Sequence, residues 1–312
     1  MLRFSRILVM VAMVLVTLTA QVYAQSFAPV QKDAGLQSSV DEAVRGFHGV
    51  CGVYVRSLAT GQGAEFNADS LFPTASMVKV TILCGIMNRI EKGELKFDSV
   101  VVYRDSMKYD DGPTGSLKDS SRVPIGELVH LMLSLSDNTA SLWLQRLAGG
   151  GTAINAWLEE NGFRNLRVNS RTPGREHNRD EYGWGQTTPR EMAELITRIR
   201  NGKAVSPAAS ERMYRALGRS YWDGESLSQL PPTVHVVSKQ GAVDEAKSEV
   251  LLVNAPSGDY VVCVTTKNQT DQRWMHDNEG YVLLRKVAKL VWDHFEPARP
   301  FKTALDDPRY SP

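Results

Sequence analysis

Apolar and polar positions along this chain fall into three blocks of different period. Near the start, VCGVYVR at residues 50–56 has the β-branched and aromatic content of a strand, and the turn residues Thr60-Gly61-Gln62-Gly63 lead to a second short strand. From about residue 76 to 216 the apolar positions recur at helical spacing. SMVKVTILCGIMNRIEKG stops at Gly93, VPIGELVHLMLSLSDN has Pro124 near its start, and the segment from Thr152 to Asn161 stops at Gly162. Thr188-Pro189-Arg190-Glu191 reads as a capping box with proline at the first helical position, opening EMAELITRIRNG. From Val234 strands return as VHVVSKQG, SEVLLVN and DYVVCVTT, the last two joined by a turn at Ser257-Gly258-Asp259. A final amphipathic helix is predicted from about Glu279 to Phe295.

Strands at both ends with helices between predict an α+β fold. It is an α/β sandwich, an antiparallel sheet flanked by helices, split in sequence between residues 25–74 and 221–297. An all-helical domain, residues 75–220, is inserted in its middle. The tail at 298–312 is proline-rich and polar and is expected to be poorly ordered. Gly149-Gly150-Gly151 has no following Lys-Ser/Thr, so it reads as a flexible turn and not as a phosphate loop.

The first residues change the picture of location. Arg3 and Arg6 precede a short apolar run from Ile7 to Val16, and Val22-Tyr23-Ala24 has the small-x-small form of a signal-peptidase site. The run is too short to span a bilayer comfortably. Residues 1–24 therefore read as a signal peptide, with cleavage near Ala24 and an exported chain, periplasmic or secreted, without a stable membrane anchor. Removing Arg3 and Arg6 leaves 34 basic against 35 acidic residues, a net charge of −1. Such a chain has no electrostatic footprint for nucleic acid, and a monomer is expected. The three cysteines, Cys51, Cys84 and Cys263, form no disulfide framework. Cys51 and Cys263 could pair across a sheet, or all three could be buried free thiols. The six histidines show no paired metal-ligand spacing, so neither metal nor cofactor is expected.

Candidate chemistry begins at Ser76 and Lys79, three residues apart in an apolar helical run and so on one face of a helix. A serine hydroxyl needs an adjacent base to become a nucleophile. A lysine in an apolar site loses its proton more readily because burial disfavours the charged form. The competing account is an amphipathic helix whose lysine snorkels to water. Two further motifs favour chemistry. Ser136-Asp137-Asn138 breaks a helical run where a polar triplet has no packing reason, although an internal cap would also account for it. Lys239-Gln240-Gly241 ends a strand-like run, where a hairpin turn with an exposed lysine is the plainer reading.

Ser-x-x-Lys, Ser-Asp-Asn and Lys-x-Gly, in that order and context, resemble the class A β-lactamases and serine penicillin-recognising enzymes. LATGQGAEFNADSLFPTASMVKVTILCGIMNRI, SLSDNTASLWLQRLAG and GQTTPREMAEL are similar to family segments, and the likeness runs over roughly residues 35–295. The resemblance implies a serine hydrolase acting through an acyl-enzyme on a small-molecule β-lactam, or a penicillin-binding protein acting on a D-Ala-D-Ala-type peptide. A covalent binder or sensor without turnover is a third reading. It also implies roles. Ser76 attacks an amide carbonyl, Lys79 takes its proton, and Ser136 passes a proton to the leaving nitrogen. Asn138 binds the substrate side-chain amide, and Lys239 supplies positive potential. Gly241 admits substrate to the strand edge, and the backbone N–H groups of Ser76 and Ala242 form the oxyanion hole. Tyr109 is either an aromatic wall of the cleft or a packing residue.

The chain departs from the family at four positions. Where class A enzymes carry the loop glutamate that activates the deacylating water, ungapped counting from either flank of the loop at about 168–187 places Thr172. The partner asparagine falls on Glu176, which is either a replacement base or a solvated carboxylate. The aspartate of the usual Arg–Asp loop pair falls on Gly185, leaving Arg171, Arg175, Asp180 and Glu181 as candidates to rebuild it. Gln240 stands where a hydroxyl usually grips the substrate carboxylate, with Lys247 either a compensating cation or a surface lysine.

Overall fold

The structure, a computed structural model, describes residues 27–304. The segment read as a signal peptide lies outside the described residues, as does the tail from 305. The chain begins with β1 (Gln31–Lys32), α1 (Ala34–Val44), β2 (Val50–Ser57), β3 (Gln62–Phe66) and β4 (Phe72–Pro73). A 3₁₀ turn at Ala75–Val78 leads into α2 (Lys79–Glu91), then β5 (Val100–Val102), β6 (Arg122–Pro124), α3 (Ile125–Ser134), α4 (Asn138–Leu147) and α5 (Gly150–Glu160). The active-site loop region holds β7 (Arg167–Val168), α6 (Glu176–Tyr182) and β8 (Gly185–Thr187), followed by α7 (Pro189–Arg200) and α8 (Pro207–Leu217). The chain closes with β9 (Val236–Val243), β10 (Ala246–Val253), β11 (Tyr260–Lys267) and α9 (Glu279–Phe295).

The main sheet has the order β1-β3-β2-β11-β10-β9. Its antiparallel character holds from β3 to β9, while β1 joins parallel to β3, a pairing absent from the sequence expectation. Both faces are covered, so β10 is buried at every position and shows no polar alternation. The period of two survives in which core each side chain enters. Leu251 and Val253 join Leu36 and Val40 of α1 and Leu284 and Val291 of α9. Val250 and Leu252 join the larger core with α2, α3 and α7. The same parity separates two cysteines. Register sets Cys263 opposite Tyr54 and Cys51 opposite Thr266, and the two thiols enter opposite cores. All three cysteines are buried and free.

Helix α1 escaped the sequence reading, although Leu36, Val40, Ala43 and Val44 carry a helical spacing and Asp33 caps its first turn through Leu36 N at 2.9 Å. Of the tail expected to be poorly ordered, only residues 298–304 are described, and most of them are exposed. Phe301 lies against the α1/α9 core and Thr303 is buried.

The base of the active-site loop hangs on one carboxylate. Thr188 caps α7 through Glu191 N as the sequence predicts, at 3.1 Å. The Glu191 side chain, buried in the same first turn, is engaged across the domain. It accepts the backbone N–H groups of Arg164, Asn165 and Leu166 at 2.7–3.1 Å. Those donors immediately precede β7 and fix where the loop departs. Glu191→Ala leaves buried donors unpaired and is expected to lower stability by about 2–4 kcal/mol in urea unfolding. A change below about 0.5 kcal/mol would show that the loop base is held by other contacts.

Candidate active site

The nucleophile candidate sits at a strained turn. Ala75 has φ +42°, a left-handed conformation that costs a residue with a Cβ. It places Ser76 on the 3₁₀ turn, with Lys79 the first residue of α2. In a 3₁₀ turn residues three apart eclipse, so the shared face expected from the sequence is kept by a tighter geometry. Lys79 Nζ lies 3.1 Å from Ser76 Oγ, 2.9 Å from Ser136 Oγ, 2.5 Å from Ser136 O and 2.8 Å from Asn138 Oδ1. The lysine is fully buried and does not snorkel to water. Burial pulls its pKa down to about 7, against the opposing pull of the Asp137 and Asp110 carboxylates. Four neighbours exceed the three protons of an ammonium. A free amine has two protons and a lone pair that either serine hydroxyl can address.

The Ser-Asp-Asn triplet fills the break between α3 and α4. Asp137 does the structural work: its carboxylate caps α4 through Ala140 N at 2.6 Å and holds Thr114 N at 2.9 Å. That leaves its neighbours for Lys79. Ser136 takes φ +60°, and the preceding residues are pinned by Trp222 Nε1 donating to Leu135 O at 3.0 Å and Tyr221 N donating to Ser134 O at 3.1 Å. The internal cap and the chemical reading therefore both apply, to different residues of one triplet.

Lys239 enters from the third direction, the edge strand β9. It is fully buried, and its Nζ is ringed by acceptors: Ser136 Oγ at 3.2 Å, Gln240 O at 2.9 Å and Gln240 Oε1 at 2.8 Å. Burial and the Lys79 charge pull its pKa down, while Glu249 on β10 pushes back. The Gln240 side-chain carbonyl thus covers the Lys239 ammonium in this structure. At Gly241 a Cβ would fall 2.4 Å from Thr74 O and 2.7 Å from Ser76 N. The glycine lets the turn that carries Ser76 lie against the strand. Ser248 Oγ ties the junction, 3.3 Å from Thr74 O and 3.1 Å from Gly241 O. This close approach makes neighbours of the Ser76 and Ala242 segments.

A sequence model described as the beta-lactamase enzyme family matches residues 35–295. The chain belongs to the beta-lactamase enzyme family. Solved structures share the class A fold at low identity. PBP-A, as an L158E mutant in an acyl-enzyme complex with penicillin G, aligns with TM-score 0.77 and 24% identity over 87% of this chain and all of that one. A β-lactamase from Sphaerobacter thermophilus aligns with TM-score 0.75 and 23% identity over 86% and 99% of the two chains. An ancestral class A β-lactamase gives TM-score 0.73 and 24% identity over 83% and 99%.

Against this family the loop is rebuilt. Thr172 is buried, its Oγ1 bonded to Ser170 O at 3.0 Å and pressed against Gly151, where an added Cβ would lie 1.8 Å from it. Glu176 is not brought to the serine–lysine cluster. It is exposed at the first position of α6, and its carboxylate accepts Gly174 N at 3.1 Å. The staple across the loop comes from Arg175. Its guanidinium reaches Asn169 Oδ1 at 2.9 Å and Gln186 Oε1 at 2.6 Å, so amides replace the usual carboxylate partner. Gly185 fits where a side chain would meet Val78 and Thr74 behind the nucleophile.

Two aromatic and cationic expectations resolve differently. Tyr109 is half exposed, stacks edge-on against Trp184 of the loop at 5.1 Å, and is anchored by its N–H to Thr139 Oγ1 at 3.1 Å, one residue beyond Asn138. Lys247 is neither a surface lysine nor a compensating cation. It is fully buried, bonded to Val243 O at 2.6 Å and Asp244 O at 3.2 Å, and capped by the Trp274 ring at 4.5 Å. Sequence reasoning missed Asp110, whose carboxylate accepts Asn138 Nδ2 at 2.8 Å, and Ser248; neither lies in a motif.

Gly241→Ala drives a Cβ into backbone that has no room to move. It is expected to destabilise by about 1–3 kcal/mol in thermal or urea unfolding. A neutral substitution would mean that the strand and the nucleophile turn are not in the contact described.

Proposed function

We propose that this chain is an exported, monomeric serine enzyme whose Ser76 is acylated by β-lactams and which releases the acyl group slowly. Lys79 Nζ within hydrogen-bonding reach of both Ser76 Oγ and Ser136 Oγ is the observation that carries the reading. In this account Ser76 Oγ attacks the lactam carbonyl carbon while its proton passes to the free amine of Lys79. The oxyanion is held by the N–H groups of Ser76 and Ala242. As the C–N bond breaks, Lys79 gives its proton through Ser136 Oγ to the departing nitrogen, and Lys239 favours a substrate carboxylate nearby. Asn138 holds the substrate side-chain amide.

Slow release is supported by the loop. Deacylation needs a base within reach of a water at the ester. Thr172 has no basic group and its hydroxyl is turned to Ser170 O, while the Glu176 carboxylate is exposed and engaged with Gly174 N. The same features favour the penicillin-binding reading over rapid lactam hydrolysis, with a D-Ala-D-Ala-type peptide as the natural class of substrate. The acyl-enzyme captured in the PBP-A L158E mutant with penicillin G is consistent with stable acylation on this fold.

Intact-mass measurement after mixing with a penicillin is expected to give one adduct per chain that outlasts lactam consumption, and Ser76→Ala is expected to abolish it. Many lactam turnovers without a persistent adduct would replace slow release by true hydrolase activity, and label retained in Ser76→Ala would show another nucleophile. Glu176→Gln is expected to leave adduct lifetime unchanged within about twofold; a release slowed tenfold or more would make Glu176 the base.

A further inference from the structure

Asn138 is held between two groups of opposite hydrogen-bonding character. Its Oδ1 lies 2.8 Å from Lys79 Nζ, and its Nδ2 donates to Asp110 Oδ2 at 2.8 Å. Lys79 supplies protons on this side and Asp110 can only accept, so the amide has one orientation that satisfies both. The carboxylate is itself a built feature. Its backbone N–H and that of Tyr109 address Thr139 Oγ1 at 3.5 and 3.1 Å. Asp110 Oδ1 lies 3.3 Å from Gly112 N and 3.4 Å from Thr139 Oγ1. Gly115 is pressed so close to Asp110 O that a Cβ would fall 1.8 Å away. The loop is shaped around this residue.

We infer that Asp110 is a positioning residue for acylation, fixing the Asn138 amide and holding a negative charge beside the Lys79 amine. This inference rests on the proposed acylation of Ser76. With one Nδ2 proton committed to Asp110, the other is left, correctly aimed, for a substrate carbonyl. The charge has a second effect through Lys79. Three charged groups face that amine: Asp137 from the cap of α4, Asp110 from the loop, and Lys239 from β9. The two anions favour the ammonium and Lys239 opposes it. Removing one anion therefore lets Lys79 lose its proton at lower pH.

Asp110→Asn keeps size and an acceptor for Asn138 but removes the charge; Asp110→Ala removes both. The ¹³Cε resonance of Lys79, assigned with Lys79→Arg, reports its titration without any substrate. In Asp110→Asn the midpoint is expected to fall by roughly 0.5–1 pH unit from the wild-type value. At a pH above the Lys79 midpoint of each protein, the rate constant for penicillin labelling, read by intact mass, is expected to fall roughly tenfold to a hundredfold in Asp110→Ala and much less in Asp110→Asn, because misplacement of a positioning group has costs of that order. A midpoint unmoved in Asp110→Asn overturns the inference, whether or not penicillin labels the protein. Equal rates for wild type and Asp110→Ala overturn it as well. A midpoint moved in Asp110→Asn, together with a wild-type chain that no lactam labels, leaves Asp110 as the partner of Lys79 and Asn138 and rejects the proposed function alone.

Discussion

The site depends on keeping one amine dry. Lys79 loses its contact with water at the first residue of a helix and is left with two hydroxyls, a carbonyl and an amide oxygen. In water an ammonium would keep its proton well above neutral pH; burial removes that preference and brings the amine to about 7. A share of the amine is then unprotonated near neutral pH, with a lone pair free to accept a proton from either serine hydroxyl. Every other feature of the cleft serves to hold partners around that nitrogen or to keep solvent from it.

Those partners come from three distant parts of the chain. The turn carrying Ser76 and the break between α3 and α4 are locally distorted, and the edge strand β9 meets them with a glycine at the contact. Ala75 and Ser136 both take positive φ, conformations that persist only when their surroundings hold them. Gly241 lets β9 lie against the nucleophile turn, Ser248 bridges the junction, and Trp222 pins the segment before Ser136. Strain at the site is thus borne by contacts from both the sheet and the helices.

Much of this was legible in the sequence, for definable reasons. Residues fixed by local chemistry could be read directly: the cap at Thr188, the glycine stops at Gly93 and Gly162, and the final helix from Glu279 to Phe295. The three motifs carried the cluster because their spacing with the family is regular. What escaped depends on contacts far apart in the chain. Helix α1 has its periodicity in only four buried positions. Lys247 reads as a surface residue until Trp274 and Tyr281 close over it. Asp110 belongs to no motif, and its meaning comes from the side chain of Asn138, 28 positions away. Arg175 was among the candidates for the loop staple, but its amide partners, Asn169 and Gln186, replace the carboxylate expected of them.

In the proposed function, the absence of a carboxylate at position 172 separates acylation from release. The groups proposed for acylation are assembled, whereas Thr172 is bonded to Ser170 O and the Glu176 carboxylate is exposed and engaged with Gly174 N. The claim that decides the account is that Lys79 acts as a free amine. The most direct test is the rate of penicillin labelling of Ser76 across about pH 5 to 9. Because only the deprotonated amine can take the serine proton, the rate should rise with pH through a midpoint near 7. A rate independent of pH across that range, or one that rises only near the ordinary lysine value, would contradict it.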